Sequence, residues 1–267
     1  MQIIDLSLPI DDTLKETHAA TIDRISHADG VEHFNWVVMM NQPGGEERFT
    51  DGERAVKPEE IPDAEMLALE IVHASVHMGS HVDAPYHYGS RCEDKPAKQI
   101  EDLPLEWCYG DGVVLDFTHL KYPEVIKKGD VENALKKIDY QLKPMDIVLI
   151  YTGADKMLGT PDYVDKYVGM LPEAVEYLLD QGVKMLGVDT IGLDRPCLDM
   201  FKEFLETRDK TKIWPSHFLG RRREFAHMER LGNLDAIPQP TGFKVSCFPV
   251  RVRQAGAGWA RVVAILD

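Results

Sequence analysis

Short apolar runs broken by turn residues make up most of this chain. Gln2 to Leu8 reads as a first strand, stopped at Pro9, and Phe34 to Met40 reads as a second. Asn41-Gln42-Pro43-Gly44-Gly45-Glu46-Glu47 is a turn and loop signal. Residues 11–35 are polar without a clear period. Residues 48–65 are charged and loop-like, as a lid, an oligomer contact or a solvated insertion would be. Residues 66–77 are apolar with β-branched members and predict a strand. Gly112 to Phe117 predicts another. Asp130 to Ile138 has the period of a short helix with Asp130 as its N-cap. Met145 to Tyr151 predicts a buried strand ending in the Thr152-Gly153 turn. Leu171-Pro172-Glu173 opens a helix through Leu179, with Gly182 as its C-terminal cap, and Val183 to Asp189 is the next strand. That succession is a βαβ-like unit. Phe243 to Phe248 and Ala260 to Leu266 predict two late strands, the second after the turn Ala255-Gly256-Ala257-Gly258. Neither an internal repeat nor a low-complexity linker is present. The pattern predicts one mixed α/β domain over residues 1–267, with strands at the two ends and helices between.

Composition narrows the class. Hydrophobic residues at 44% are enough for a sizeable core in 267 residues. A net charge of −15 argues against nucleic acid as a partner. No run approaches the roughly 18 apolar residues that a membrane helix needs. Cys92, Cys108, Cys197 and Cys247 are widely spaced and form no CxxC pair, so reduced thiols in a cytoplasmic protein are expected. The opening segment lacks the basic region and apolar length of a signal peptide.

The chemistry concentrates in His77-Met78-Gly79-Ser80-His81-Val82-Asp83-Ala84-Pro85-Tyr86-His87-Tyr88. His77, His81, Asp83 and His87 all occupy odd positions. In an extended strand such residues share one face. A helix would pair His77 with His81 but turn Asp83 away, and Gly79 and Pro85 count against it. The extended reading gives an N,N,O metal site with a fourth imidazole nearby, suited to zinc, manganese or iron(II). Taken singly, each histidine could be a packed or surface residue. Together, their burial without a metal or partners would be costly.

This run resembles the His-x-Gly-Thr-His-x-Asp-x-Pro-x-His signature of the metal-dependent cyclase-like hydrolases, with Ser80 in place of the usual Thr. That family includes bacterial kynurenine formamidases and isatin hydrolases. Ile4-Asp5-Leu6-Ser7-Leu8-Pro9-Ile10 and Gly187-Val188-Asp189-Thr190 also resemble family segments, as does Leu231-Gly232-Asn233-Leu234. The resemblance implies a single α/β domain of the swivelling β/β/α type, strands dominating with a few helices. It implies His77, His81, Asp83, His217 and Glu229 as ligands of one or two divalent ions, Zn2+ or Mn2+. His227 is the rival to His217. It implies His87 as the general base or proton shuttle. The activity implied is hydrolysis of a small amide by metal-activated water, the substrate being an aryl formamide such as N-formylkynurenine or a cyclic amide such as isatin. A homodimer or homotetramer is implied as well.

Two other readings stay open: a metal-dependent cyclase or lyase acting on a carbonyl substrate, and a non-catalytic metal-binding protein. Serine catalysis is disfavoured, because Ser75, Ser80 and Ser216 lie in no Gly-x-Ser-x-Gly elbow. Phe34, Trp36, Tyr86, Tyr88 and Trp214 are candidate aromatic walls or core residues. Asp189 is either an orienter of the site or structural. Arg221-Arg222-Arg223 departs from the family's apolar stretch and could hold an anionic substrate group, face solvent or contact a subunit.

Overall fold

A computed structural model describes residues 1–14 and 19–266. Residues 15–18 of the early polar stretch, and Asp267 at the end of the expected domain, lie outside the described residues. Contacts group the chain into two units, one of residues 1–15 and 75–267, the other of residues 16–74.

The first unit is built on nine strands: β1 (Gln2–Asp5), β2 (His81–Asp83), β3 (Tyr109–Asp116), β4 (Ile147–Tyr151), β5 (Met185–Val188), β6 (Ala226–Glu229), β7 (Phe243–Ser246), β8 (Ala257–Trp259) and β9 (Val263–Leu266). Their order in the sheet is β1-β9-β7-β3-β4-β5-β6-β2-β8. The central four, β3-β4-β5-β6, run parallel, and every other neighbour is antiparallel. Parallel neighbours need crossovers, which here are helices Lys128–Lys137, Pro172–Asp180 and, between β5 and β6, Cys197–Thr207 and Pro215–Leu219. The apolar run Ile147–Ile150 is buried throughout, as a strand covered on both faces must be.

Alternation along the strands sorts their side chains into two cores. Val113, Leu115, Val148 and Ile150 pack with Val131, Leu135, Val175 and Leu178 of the crossover helices. Val114, Ile147 and Leu149 point the other way and pack with Ile4, Leu6, Val82, Met228 and Val245. Helix Pro172–Asp180 ends as the sequence predicts. Gly182 takes φ +87°, its N–H bonds Leu179 O at 3.0 Å, and Val183 N–H reaches Leu178 O at 3.3 Å. That pair of bonds is a Schellman cap. Asp130 sits one turn inside its helix, three residues after the N-cap Lys127. Its carboxylate accepts from Lys127 N–H at 2.8 Å.

In the second unit, Thr21–Ile25 and Leu69–His73 form an antiparallel ribbon. The strand expected at Phe34–Met40 is part of helix Gly30–Met40. Val31, Asn35 and Met39 form its buried stripe at a spacing of four. Polar Asn35 hides that stripe from a hydrophobic reading. Its amide is buried because it bonds Val31 O at 3.1 Å and Val56 O at 2.9 Å, and accepts from Val56 N–H at 2.9 Å. The charged stretch after it holds helix Gly45–Thr50 and two single 3-10 turns. The strand expected over 66–77 is confined to Leu69–His73.

Candidate metal centre

Register builds the centre. β2 lies antiparallel to β6, with Asp83 opposite His227, Val82 opposite Met228 and His81 opposite Glu229. Val82 and Met228 enter the apolar core. Alternation therefore sends His81, Asp83, His227 and Glu229 together to the opposite face. All four are buried.

The single extended run expected from His77 to His87 is corrected: only His81–Asp83 is strand. His77 arrives from a turn in which Gly79 takes φ +64°. A side chain at Gly79 would also meet Pro9 O at 3.0 Å. Ser80 pins that turn: its hydroxyl accepts from Leu8 N–H at 2.7 Å and donates to Arg230 O. Pro85 does not oppose a helix here. It opens the one-turn helix Pro85–Tyr88 at the position where proline fits. That turn swings His87 back toward the residue four before it, with Nε2 3.7 Å from Asp83 Oδ2.

His217, from helix Pro215–Leu219, completes the cluster. Its Nε2 lies 3.4 Å from Glu229 Oε1. His227 Nε2 lies 2.8 Å from the same oxygen and 3.6 Å from Asp83 Oδ2. His81 Nε2 is 3.5 Å from Asp83 Oδ1 and 3.6 Å from Glu229 Oε2. His77 Nδ1 is 3.0 Å from Asp83 Oδ1 and 3.2 Å from His81 Nε2. The structure thus gathers His77, His81, Asp83, His87, His217 and Glu229, and places His227 among them rather than in place of His217.

Each inner imidazole is held by its far nitrogen. His81 Nδ1 is 2.9 Å from Gly79 O, His217 Nδ1 is 2.7 Å from Asp194 Oδ2, and His227 Nδ1 is 2.8 Å from the Tyr88 hydroxyl. Tyr88 in turn donates to Asp83 O at 3.1 Å, which leaves its oxygen to accept from His227. Asp194 is itself fixed by the Ser216 and His217 N–H groups at 2.7 and 3.0 Å. These bonds turn the Nε2 lone pairs inward, the arrangement by which a protein orients metal-binding histidines.

The donor chemistry fits a cation. Both Asp83 oxygens are buried and neither accepts a well-aligned hydrogen bond, although His77 Nδ1 lies 3.0 Å from Oδ1. Lone pairs and carboxylate oxygens facing one another inside a protein repel unless a positive charge lies among them. Among the described residues, two donor groups could hold a metal: Asp83, His217, His227 and Glu229, and a second of His77, Asp83 and His87. Asp83 belongs to both.

Among the side chains alone, protons on the histidines supply the positive charge that the carboxylates demand. For Asp83, burial opposes ionisation, but His87, His81 and His77 outweigh it and hold the carboxyl well below its usual range. Glu229 is held low in the same way by His217 and His227 against burial. Burial works against charge on His217, yet Asp194 and Glu229 raise it to about 10. Burial pushes His87 down to about 4, although Asp83 pulls the other way.

The remaining candidates take structural places. Asp189 accepts from Thr152 N–H and Oγ–H at 3.0 and 2.7 Å, and from Gly153 and Ala154 N–H at 2.6 and 3.2 Å, so it holds the turn after β4. Ser216 donates to Met170 O. Tyr88 is buried and supports His227, Tyr86 is exposed, and Trp214 packs edge-on against Phe201. Phe34 and Trp36 belong to the second unit. Arg223 pairs with Asp180 at 2.9 Å, and Arg221 donates to Tyr88 O at 2.6 Å.

Sequence reasoning missed Asp194, which lies in a loop with no pattern around it, and gave His227 only a rival's place. The alternation His227-Met228-Glu229 was the available signal for His227.

Comparison with known proteins places this geometry. Residues 4–195 match the family described as "Putative cyclase". The kynurenine formamidase of Bacillus mycoides (strain KBAB4) is 25% identical over 120 residues, 45% of this chain and 50% of that protein. The kynurenine formamidase of Bacillus anthracis is 26% identical over 121 residues, with the same shares of 45% and 50%. The chain spans about half the length of the curated relatives it matches. Isatin hydrolase A from Labrenzia aggregata, bound to benzyl benzoate, superposes with a TM-score of 0.72 at 19% identity, over 99% of this chain and 93% of that one. An isatin hydrolase bound to the product analogue thioisatinate gives 0.70 at 18% identity, over 100% and 92%. These superpositions show a shared mixed α/β fold.

Proposed function

We propose that this chain, which belongs to the Cyclase family, is a metal-dependent hydrolase that cleaves the C–N bond of a small amide. The observation that carries the reading is Asp83, a buried carboxylate that accepts no well-aligned hydrogen bond, at the meeting point of several inward-turned imidazoles. The class of amide, an aryl formamide or a cyclic amide, is drawn from what the kynurenine formamidases and isatin hydrolases are named for.

His77, His81, Asp83, His217 and Glu229 would hold the ion, with His227 beside them. Zinc and manganese both suit nitrogen and oxygen donors. The two donor groups that share Asp83 favour room for a second ion. When bound, a divalent ion supplies Lewis acidity toward the amide carbonyl and lowers the pKa of water at the site. The protein supplies the rest. Gly79 O, Asp194 and Tyr88 fix the rings. His87 stands at the half-exposed edge, its side chain 35% accessible, where a substrate can reach it. Burial keeps that imidazole neutral at pH 7. Its Nε2 can take a proton from the attacking water and return it to the leaving nitrogen.

The same proposal takes residues 1–267 as one catalytic domain with 16–74 as an insertion, acting on a small molecule in the cytoplasm as a homodimer or homotetramer. No helix among the described residues is long and apolar enough to cross a membrane. The test is metal analysis of protein purified without added metal, with turnover of N-formylkynurenine and of isatin. Stoichiometric metal with turnover of either supports the reading. Full metal with neither substrate opened by purified enzyme would redirect it to another carbonyl chemistry.

A further inference from the structure

Beside the metal centre, on the far side of the short helix that carries His217, lies a groove of about 810 Å³. Its floor is apolar and includes Leu171, Ile213 and Phe218. Its rim carries Lys210, Arg221 and Arg222. None of the catalytic proposals uses it.

The charge around this groove runs against the rest of the molecule, which carries −15 overall. Five cations line it, against a single acid, Glu203. That acid is already engaged by Arg195 at 2.6 Å and Lys212 at 2.8 Å. Among the described residues, Lys210, Arg221 and Arg222 have no carboxylate partner. The guanidinium of Arg221 lies 3.5 Å over the Phe218 ring, which holds this cation against the apolar wall.

We propose that the groove is a second binding site, separate from the metal centre, for a small amphipathic anion: an aromatic or aliphatic body on the floor and a carboxylate or sulfonate at the Lys210–Arg222 rim. The volume falls within the roughly 300–1,000 Å³ of small-molecule clefts. An inorganic anion would leave the apolar floor wet, and a neutral ligand would leave the cations unused. Arg is suited to bidentate recognition of such a head group. The wall also touches the metal centre's support. Arg221 donates to Tyr88 O, and Tyr88 holds both His227 and Asp83 O. An anion that draws the Arg221 guanidinium off Tyr88 O therefore pulls on the residue that orients His227.

The test uses 8-anilinonaphthalene-1-sulfonate as the probe, titrated by fluorescence into the full chain. Its uncharged relative N-phenyl-1-naphthylamine serves as control. The expected result is saturable binding of one sulfonate probe per chain, at least tenfold weaker in Lys210→Glu and in Arg222→Glu. The neutral probe should bind at least tenfold more weakly to the unaltered protein. Binding should persist after chelation strips the metal. Both side chains are exposed, so folding is checked by circular dichroism, and Lys210→Gln and Arg222→Gln serve if a reversal fails to fold. Binding unchanged by these substitutions, equal binding of the neutral probe, or loss of binding on chelation alone would each overturn the proposal.

Discussion

Asp194 shows what one residue does for this centre. It accepts three hydrogen bonds, and one of them sets which nitrogen of His217 faces Glu229. Removing such a support typically costs about 10–100-fold in metal affinity. Asp194→Asn is expected to weaken metal binding on that scale in a competition titration, with the helix Pro215–Leu219 intact by circular dichroism. Unchanged affinity would show that His217 is not a ligand. His81 and His87 separate in the same assay. His81→Ala should lose most of its metal. His87→Ala should keep it and turn over about 10²–10⁴-fold more slowly, the usual contribution of a positioned acid–base group. The pH dependence carries a sign. His87 must be neutral to accept a proton, and burial pushes it down to about 4. Turnover is expected to rise with pH through about 4 from His87, and any limb at about 7 belongs to water on the ion and should persist in His87→Ala. A limb near 6.5 that vanishes in His87→Ala would show that His87 is more solvated than its place suggests. Should His87→Ala lose its metal, the donor group of His77, Asp83 and His87 would be the correct assignment.

At the scale of elements, the legible parts were those with a period or a cap. The apolar runs at Ile147 and Met185, and the Pro172-to-Gly182 helix, were readable because burial on both faces and a Schellman cap leave local marks. The histidine run was readable as a cluster but not as a shape. Its residues converge through a turn, three residues of strand and a proline-opened helix, and the partner that fixes them is β6, more than a hundred positions away. Such pairing leaves no local trace. Asp189 is the clearest case of an element-level role hidden in a site-like residue. Burial raises its carboxyl to about 7, against the opposing donors of Thr152 and Gly153. The unfolded chain loses that proton near pH 4. Between about 4 and about 7 the folded state therefore binds more protons, and stability falls as pH rises through that window. Asp189→Asn carries no such proton, and its amide oxygen can still accept the three backbone N–H groups. Urea unfolding across pH 4.5 to about 7.5 is expected to show a decline in the parent that the variant lacks. Parallel curves for the two proteins would mean that Asp189 is ionised throughout and held by its donors.

At the scale of the molecule, the centre ties metal to folding. β2 lies between β6 and β8, and carries His81 and Asp83 with no exposed surface. Without a cation, closing this sheet buries two carboxylates against inward-facing lone pairs. Asp83 then has no well-aligned donor to replace the water it loses. The unfolded chain pays none of that cost, so a bound ion stabilises the native state by mass action. At a free ion concentration about 100 times Kd that is about 2.7 kcal/mol. For a domain of this size each kcal/mol moves Tm by about 2–4 °C. Chelation is therefore expected to lower Tm by about 5–10 °C, and added Zn2+ or Mn2+ to restore it. Hydrogen exchange should quicken first at the amides of His81–Asp83 and Ala226–Glu229, whose pairing brings the donors together. Glu229→Gln removes one of the two charges and accepts the same Leu193 N–H, now 2.9 Å from Oε1. It should bind metal more weakly yet lose less Tm on chelation, because less uncompensated charge stays buried. A Tm unmoved by chelation, with the metal shown to be gone, would mean that protonated histidines supply the positive charge and that the fold does not depend on an ion.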